Sequence, residues 1–491
     1  MSAKETDELF ELIHSLTKAE RRYFKLHFEG NSHSDVQKYM RLFDAIAAMT
    51  AFDKSALDKK FKGEQIVKYY SKTKAYVLDA ILDSLRAFRN GQSPADDINQ
   101  QVANLRILRL KGLNEQFLHL LATTKQLCYE TEQPIPLLDI LIQEEQYLHD
   151  TFQSIEAIQT ETKKAIELTT ERTDTVALHR RVYAMYSKYG LRLQAEAKEW
   201  FTQELVQIAE LQKSYSMYSS IFLSNSSIAI CHHCLGNHLE AYKTLCVNID
   251  LYDNKISRRY FKERMRDYLH VLGNIITYAF NTRNLQTFTE AQEFVQARMD
   301  NVQGFDEIKF GIIATQIFLK ISLQGNFNSF ATEVVYVEEH QDLLAKVGTV
   351  TQSDIIFNVS LGYLKTQKPD DAIRWLMKLF DVPSFEERVQ IYIYARMYEI
   401  LLHWRLDNTD LVISRTLSFK RYLTKRGIMG EFEKTIVKFI NAATYNNSTK
   451  GFEKAMNTFA QDLEQLDPTQ YSGMVAHYSD LMKWFTVTSM L

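Results

Sequence analysis

The stretch that decides the fold is residues 226–248, SSIAICHHCLGNHLEAYKTLCVN. Two small residues, Ala229 and Ala241, stand on either side of a short polar break at residues 235–238. Two antiparallel helices approach each other closely only where the side chains between them are small. The stretch therefore predicts a helical hairpin in which the two alanines lie at the contact between its helices.

The same pattern recurs farther along the chain. Ala279 and Ala291 repeat the spacing, and so do Ser360 and Ala372. The break in the last pair contains Pro369, which suits the first turn of a following helix. A period of about forty residues emerges when one equivalent point per repeat is taken at Ala241, Ala291, Ala331, Ala372 and Val412.

These residues resemble the tetratricopeptide repeat family. The family's small residue, turn glycine, second small residue and large apolar residue are matched in order by Ala229, Gly236, Ala241 and Leu245. A second match, which includes the family's tyrosine, is formed by Ser360, Tyr363, Ala372 and Leu376. The resemblance covers residues 216–420. Because the period is longer than the family's, which is about 34 residues, and the closing proline is missing, the resemblance is to a degenerate α-α solenoid. The whole chain also resembles large bacterial helical-repeat proteins, a similarity that implies no function.

The resemblance implies a surface for a macromolecular partner. In an α-α solenoid each repeat contributes its first helix to an extended concave face, on which many modest contacts add up. We therefore expect a protein or peptide partner and a role as a scaffold or adaptor. In the register of the resemblance, this face includes His233, Arg283, Asn284 and Lys365.

Composition supports a long helical array. The chain has 491 residues, more than the roughly 250–300 that one hydrophobic core serves. It contains 16 glycines and 6 prolines, far below ordinary usage of about 7% and 5%, so the many turns of a β-rich protein are not available. The predicted fold is all-α: an α-α solenoid of antiparallel hairpins preceded by a small N-terminal helical unit.

The chain divides into four predicted segments. Residues 1–90 form the N-terminal unit, 95–215 helical hairpins of irregular spacing, 216–420 the repeats, and 421–491 the capping helices, including an aromatic-rich helix at 471–491. The first boundary lies at residues 90–94, Asn-Gly-Gln-Ser-Pro, a glycine cap followed by a polar turn and proline. Within the N-terminal unit, Thr17 and Glu20 have the spacing of a capping box, and a single long helix is predicted from Glu64 to Arg89.

Two groups of residues suggest chemistry, but each has a simpler explanation. Cys231-His232-His233-Cys234 occupies consecutive helical positions, whereas structural zinc needs four ligands that converge on one point. Glu144-Glu145 with His149 lacks the spacing and the second copy that a bundle metal site needs. We interpret the first as thiols packed in the core and the second as a solvated helix face. No nucleophile elbow, phosphate loop or dinucleotide glycine motif occurs, so the sequence predicts no enzyme, no cofactor and no metal.

The remaining bulk properties indicate a cytoplasmic protein. The formal net charge is −3, the four cysteines are too few for a disulfide framework, and the N-terminus lacks the apolar run of a signal peptide. The apolar stretches are shorter than the roughly 18 residues that a membrane span requires. We expect no membrane segment.

A lysine-rich stretch in the N-terminal unit leaves a second function open. Lys59, Lys60, Lys68 and Lys72 lie near the turn at Gly63, where two helices are expected to form a helix-turn-helix-like pair. The simpler interpretation is a solvated lysine-rich face, since no set of base-reading side chains accompanies it. The alternative is a transcriptional regulator in which residues 1–90 bind DNA and the repeats act as a sensor domain.

Overall fold

The secondary structure of the computed structural model is helical throughout its described part, which contains no strand. The described residues are 7–29, 34–89, 91, 93–189, 195–255, 258–406, 408–426, 431–445 and 449–465. The predicted all-α class is confirmed. The chain forms two compact units, Met1–Ile166 (unit 1) and Glu167–Leu491 (unit 2).

Unit 1 is built from short and medium-length helices. They are α1 (Glu8–Ser15), α2 (Lys18–Glu29), α3 (Ser34–Ala47), α4 (Lys54–Lys60), α5 (Gln65–Lys68), α6 (Tyr70–Arg89), α7 (Pro94–Leu110), α8 (Asn114–Glu130) and α9 (Pro134–Asp150). The boundary between the two units falls inside the next helix, α10 (Glu156–Tyr189).

Unit 2 continues with longer helices and one short 3₁₀ helix, Phe385–Glu387. The α-helices are α11 (Ala195–Gln212), α12 (Tyr218–Cys234), α13 (His238–Lys255), α14 (Arg258–Asn281), α15 (Leu285–Met299), α16 (Asp306–Gln324), α17 (Phe330–Glu339), α18 (Gln341–Leu344), α19 (Thr349–Lys365), α20 (Pro369–Phe380), α21 (Val389–Arg405), α22 (Thr409–Arg426), α23 (Glu431–Tyr445) and α24 (Thr449–Glu464). The predicted capping helix at 471–491 lies outside the described residues.

The start of α2 is capped as its sequence predicts. The backbone N–H of Thr17 donates to the Glu20 carboxylate at 2.8 Å, and the N–H of Glu20 donates back to the Thr17 hydroxyl at 3.2 Å. This reciprocal pair satisfies two donors that the helix itself leaves unpaired. The capping box is confirmed.

The predicted single helix from Glu64 to Arg89 is wrong in one respect. It is interrupted at Tyr69, whose backbone leaves the helical region (φ −123°, ψ 37°) and separates α5 from α6. The two tyrosines at the break have different surroundings: Tyr70 donates to the buried Asp7 carboxylate at 3.3 Å, while Tyr69 remains nearly half exposed. The break therefore lies at a point where one ring turns toward α1 and its neighbour toward solvent.

Close packing at small residues is confirmed in three hairpins of unit 2. The pairs Ala229 with Ala241 and Ala279 with Ala291 are completely buried, in α12–α13 and α14–α15. In α19–α20 the Ser360 hydroxyl donates directly to the Ala372 carbonyl at 2.7 Å. A bond of this length between facing helices requires that the side chains between them be small.

The prediction for the third equivalent point, Ala331, is wrong. Ala331 is exposed near the start of the short helix α17, whereas the residue before it, Phe330, is buried. A Cβ built on Gly362 of α19 would lie 1.9 Å from the Phe330 ring. The small residue at this contact is thus a glycine on α19, and a large residue of α17 packs against it.

Helices of unit 2 contact one another largely in sequence order, and some contacts skip a helix: α14 contacts α16, and α16 contacts α19. Gly311 of α16 permits the second approach, since a Cβ there would lie 2.9 Å from Thr351 of α19. Over the described part of the chain, no helix combines the length and apolarity needed to cross a membrane.

Candidate partner-binding groove

The structure places His233, one of the four predicted partner contacts, in the interior. Its ring is 3% exposed, stacks on Tyr278 with centroids 4.6 Å apart, and has its Nδ1 atom 3.2 Å from Nδ1 of His238. Desolvation, with a further contribution from His238, lowers the pKa of His233 to about 3. In this arrangement the ring is neutral and packs in the core of unit 2.

The other three predicted contacts lie at turns between helices. Arg283 is exposed in the α14–α15 turn with a left-handed backbone (φ 57°), and its guanidinium lies 4.7 Å from the centre of the Phe280 ring. Asn284 uses its side-chain oxygen to cap α15, accepting from the N–H of Thr287 at 3.0 Å. Lys365 is half-buried in the last turn of α19. None of the four lines the groove described next.

A groove of about 480 Å³ is formed by α15, α16 and α17 within unit 2. Its volume falls inside the range of about 300–1,000 Å³ that is typical of ligand sites. The lining side chains fall into rows spaced one helical turn apart: Ile313, Ile317 and Ile321, then Gln316, Lys320 and Gln324 on α16, Gln292 and Gln296 on α15, and Ser329 with Glu333 at the start of α17.

The sequence of α16 places these rows side by side. Residues four apart share one face of an α-helix, so the isoleucine row and the glutamine–lysine row run along neighbouring lines of one surface. Phe310, Ala314 and Phe318 are buried in the core. The helix therefore packs one side into the core of unit 2 and gives another to the groove.

The side chain at the floor of the groove is Gln316. It is 7% exposed, and its amide nitrogen is shielded from solvent without a hydrogen bond to any described residue. A buried polar group without a partner costs about 1–3 kcal/mol. A carbonyl group brought into the groove would remove that cost, which makes Gln316 the residue with the strongest chemical reason to bind something.

The groove carries two charged side chains, Lys320 and Glu333, which do not form an ion pair with each other. Lys320 is exposed and Glu333 is half-buried, and neither forms an ion pair with a described residue. Gln296 donates at 2.6 Å to Asp300, the C-cap residue of α15. The groove thus offers apolar surface, amide groups and one charge of each sign, a set that matches the groups of a polypeptide.

Sequence reasoning missed this groove. It looked for partner contacts at the repeat turns, and glutamines in helices ordinarily indicate a solvated surface. The available signal was the spacing: glutamines at 292 and 296 and at 316 and 324 stand on the same faces of their helices, beside isoleucines at the same interval. The burial of Gln316 itself depends on neighbouring helices.

The lysine-rich stretch of unit 1 is exposed. Lys59 and Lys60 end α4, while Lys68 ends α5 and Lys72 lies in the first turn of α6. All four are exposed, and none forms an ion pair with a described residue. By contrast, Lys54 pairs with Asp58 and Lys74 with Asp7, each at 3.0 Å. The stretch therefore carries several positive charges that nearby carboxylates do not neutralise.

The thiols of Cys231 and Cys234 pack as the sequence predicts. Both are buried in one apolar cluster of unit 2, and desolvation raises the pKa of Cys234 to about 12. Among the described residues, no three His, Cys, Asp or Glu side chains are grouped so that they could hold a metal. Buried protonated thiols behave as small apolar side chains.

The predicted solvated face at Glu144 is wrong for that residue. The Lys125 ammonium donates to the carboxylates of Glu144 and Glu161, each at 2.8 Å, and so ties α8, α9 and α10 together within unit 1. His149, on the same helix as Glu144, is exposed as expected. The carboxylate is therefore part of a structural ion-pair network.

Comparison with known proteins adds no assignment: no family model matches the chain, and no curated protein or solved structure matches it.

Proposed function

We propose that this protein is a non-enzymatic helical-repeat protein that binds an extended peptide segment of a partner protein in the groove of α15, α16 and α17. The observation that carries the proposal is Gln316, a buried amide with an unpaired nitrogen at a groove of about 480 Å³. Most buried polar groups of native proteins have a hydrogen-bond partner, and a bound molecule is one way to supply it.

The chemistry of the groove favours a polypeptide over a small apolar ligand. Side-chain amides both donate and accept, so Gln316 and Gln292 can pair with the backbone of a bound segment. Ile313 and Ile317 are half-buried and offer contacts for its apolar side chains. Lys320 and Glu333 then favour a segment that carries one acidic and one basic side chain.

We further propose that unit 2 is a degenerate tetratricopeptide-like solenoid and that the groove is one section of its binding face. Support comes from the three hairpins with buried small residues and from the α14–α16 and α16–α19 contacts, which link the first helices of successive hairpins. In such an array every hairpin adds a short stretch of surface. This geometry supports the proposal of a scaffold or adaptor role.

The test uses the full-length protein and a displayed library of random twelve-residue peptides. We expect selection to converge on a shared motif whose best synthetic peptide binds measurably by fluorescence anisotropy. Gln316→Leu removes the amide, and Ile317→Arg places a charged side chain in the groove. Each should weaken binding of that peptide by about tenfold or more, because each alters the centre of the contact.

Val335→Arg is the matched control. Val335 is an exposed apolar residue of α17 that does not line the groove, so its replacement should leave peptide binding unchanged. Arg283→Glu combined with Lys365→Glu tests the turn residues in the same assay. The proposal fails if no motif emerges, or if the selected peptide binds the Gln316→Leu and Ile317→Arg proteins as tightly as the natural one.

A second candidate function is DNA binding by the lysine-rich stretch, with the protein acting as a transcriptional regulator. It is favoured by the exposure of Lys59, Lys60, Lys68 and Lys72 without nearby carboxylate partners among the described residues. Tyr69, at the break between α5 and α6, and Tyr76 of α6 are nearly half exposed, and a tyrosine hydroxyl can contact a phosphate. The candidate remains less specific than the groove because lysines alone read no sequence.

Its test is the salt dependence of binding to a mixed-sequence 30-base-pair duplex. If the candidate is correct, affinity falls steeply with salt, and Lys68→Gln with Lys72→Gln lowers both the affinity and the slope. Lys163→Gln with Lys164→Gln, two exposed lysines of α10, is the control of equal charge and should leave both unchanged. Equal losses in the two double variants would indicate only non-specific attraction and remove the candidate.

A further inference from the structure

A second cavity, of about 80 Å³, lies inside unit 2 and shares no lining residue with the groove. Its walls come from α10, α12, α13 and α14, and its volume suits a small molecule or a few waters. The polar side chains that matter are Arg172 and Arg264, the carboxylate of Asp267, and the hydroxyls of Ser219 and Ser220.

Among the described residues that line this cavity, the charged side chains are positive overall. Two guanidinium groups face one carboxylate, and that carboxylate lies 3.2 Å from Nη1 of Arg264. Glu171, which precedes Arg172 in the sequence, does not line the cavity. Its carboxylate accepts instead from the N–H groups of Ser216 and Met217, at 3.0–3.2 Å. A cation would therefore be disfavoured in the cavity, and an anion favoured.

Ser220 gives independent evidence for a ligand. It is 1% exposed, lines the cavity, and has a hydroxyl that makes no hydrogen bond within the described residues. It also lies in the first turn of α12. The Ser220 hydroxyl is therefore a buried donor without an acceptor among the described residues.

We propose that the cavity binds a small oxyanion, namely a phosphate or carboxylate group. The planar fork of an arginine donates two parallel hydrogen bonds to such groups, which a spherical halide cannot accept in the same way. The Ser220 hydroxyl would donate a further bond to a ligand oxygen. This site is separate from the peptide groove and does not depend on the function proposed for it.

The test is isothermal titration calorimetry of the full-length protein with inorganic phosphate and, separately, with acetate, at an ionic strength held constant with sodium chloride. We expect saturable binding of at least one of the two ions. Phosphate binding alone identifies a phosphate site, acetate binding alone a carboxylate site, and either result supports the proposal. Arg264→Gln should weaken the binding about tenfold or more, as expected when a charged hydrogen-bond donor is lost.

Two variants keep the test independent of folding. Arg266→Gln changes an exposed arginine on the same helix that does not line the cavity, and should leave the binding unchanged. Ser220→Ala removes an unpaired buried hydroxyl, so the protein should fold at least as well while the ion binds several-fold more weakly. The proposal is overturned if neither ion binds saturably, or if binding is the same in the Arg264→Gln and Ser220→Ala proteins.

Discussion

Asn248 of α13 and Gln316 of α16 both bury an amide side chain in unit 2, but their surroundings differ. The Asn248 nitrogen donates to the Phe222 carbonyl at 2.9 Å and to the Ser226 hydroxyl at 3.3 Å, and its oxygen accepts from Asn225 at 3.2 Å. The Gln316 nitrogen is equally shielded and makes no hydrogen bond within the described residues. One amide is completed by the fold, while the other is left open at a groove.

The polar region around Asn248 extends through three helices. Gln212 of α11 donates to Ser224 and to Asn225 of α12, each at 2.7 Å, and Asn225 passes the network on to Asn248 of α13. A fully satisfied network rigidifies a core, whereas a partly satisfied one costs free energy. The two amides therefore differ not in burial but in whether the described part of the fold supplies a hydrogen-bond partner.

Breaking the network should have the largest effect. Asn248→Leu keeps the side-chain size but leaves the Asn225 amide nitrogen without its acceptor, while the Phe222 carbonyl keeps its bond from the Ser226 hydroxyl. We expect the free energy of unfolding to fall by about 3 kcal/mol, since one buried unpaired donor costs about 1–3 kcal/mol and two further hydrogen bonds are lost. The measurement is urea-induced unfolding followed by helical circular dichroism.

Asn274→Leu is the control for this prediction, because Asn274 is exposed on α14. An exposed substitution of this kind should change the free energy of unfolding by no more than about 0.5 kcal/mol. Equal losses at Asn248 and Asn274 would mean that the buried network contributes nothing specific to stability.

The second prediction concerns acid and His233, which belongs to the same part of unit 2. Because its pKa in the folded protein is about 3, the unfolded chain, with an ordinary pKa near 6.5, binds a proton first as the pH falls. The contribution of neutral His233 to the free energy of unfolding is therefore fully present above about pH 6.5. Below that pH it decreases by up to about 1.4 kcal/mol per pH unit. Between pH 7 and pH 5 the loss from His233 is about 2 kcal/mol.

His233→Phe preserves a ring that can stack on Tyr278 and removes the titration. The difference in unfolding free energy between pH 7 and pH 5 should shrink by about 2 kcal/mol relative to the natural protein. Burial also lowers the pKa of His238 and His179, so some acid sensitivity will persist in the variant. An unchanged pH dependence would show that His233 is not held neutral in the folded protein.

Much of the helical organisation could be predicted from local sequence. The capping box at Thr17 and the small residues Ala229 and Ser360 are effective signals because their physical consequences are local: a cap pairs donors within one turn, and a small residue permits one hairpin contact. The prediction for Ala331 was wrong because Phe330 makes the contact there, with Gly362 of a later hairpin. No spacing within one hairpin contains that information.

The candidate site was harder to predict for the same reason. His233 was expected on the concave face from the register of the tetratricopeptide resemblance, yet its ring stacks on Tyr278, from the helix after the hairpin. Gln316 was not predicted as a site residue, because glutamine is typical of solvated helix surfaces. In the structure neighbouring helices enclose it. In both cases the exposure of a side chain is decided by other helices, about which the period of its own helix carries no information.

The smallest expected effect is also the sharpest test of the comparison. Gln316→Leu replaces an unpaired buried amide with an apolar side chain of similar size, so the free energy of unfolding should stay the same or rise by up to about 1 kcal/mol. The same change should weaken peptide binding. Gln316→Leu is then expected to maintain or raise stability while it weakens binding. Asn248→Leu, by contrast, is expected to lower stability. If Gln316→Leu instead destabilises the protein as strongly as Asn248→Leu does, the Gln316 amide is a structural group, and the reason for assigning the groove to a partner is lost.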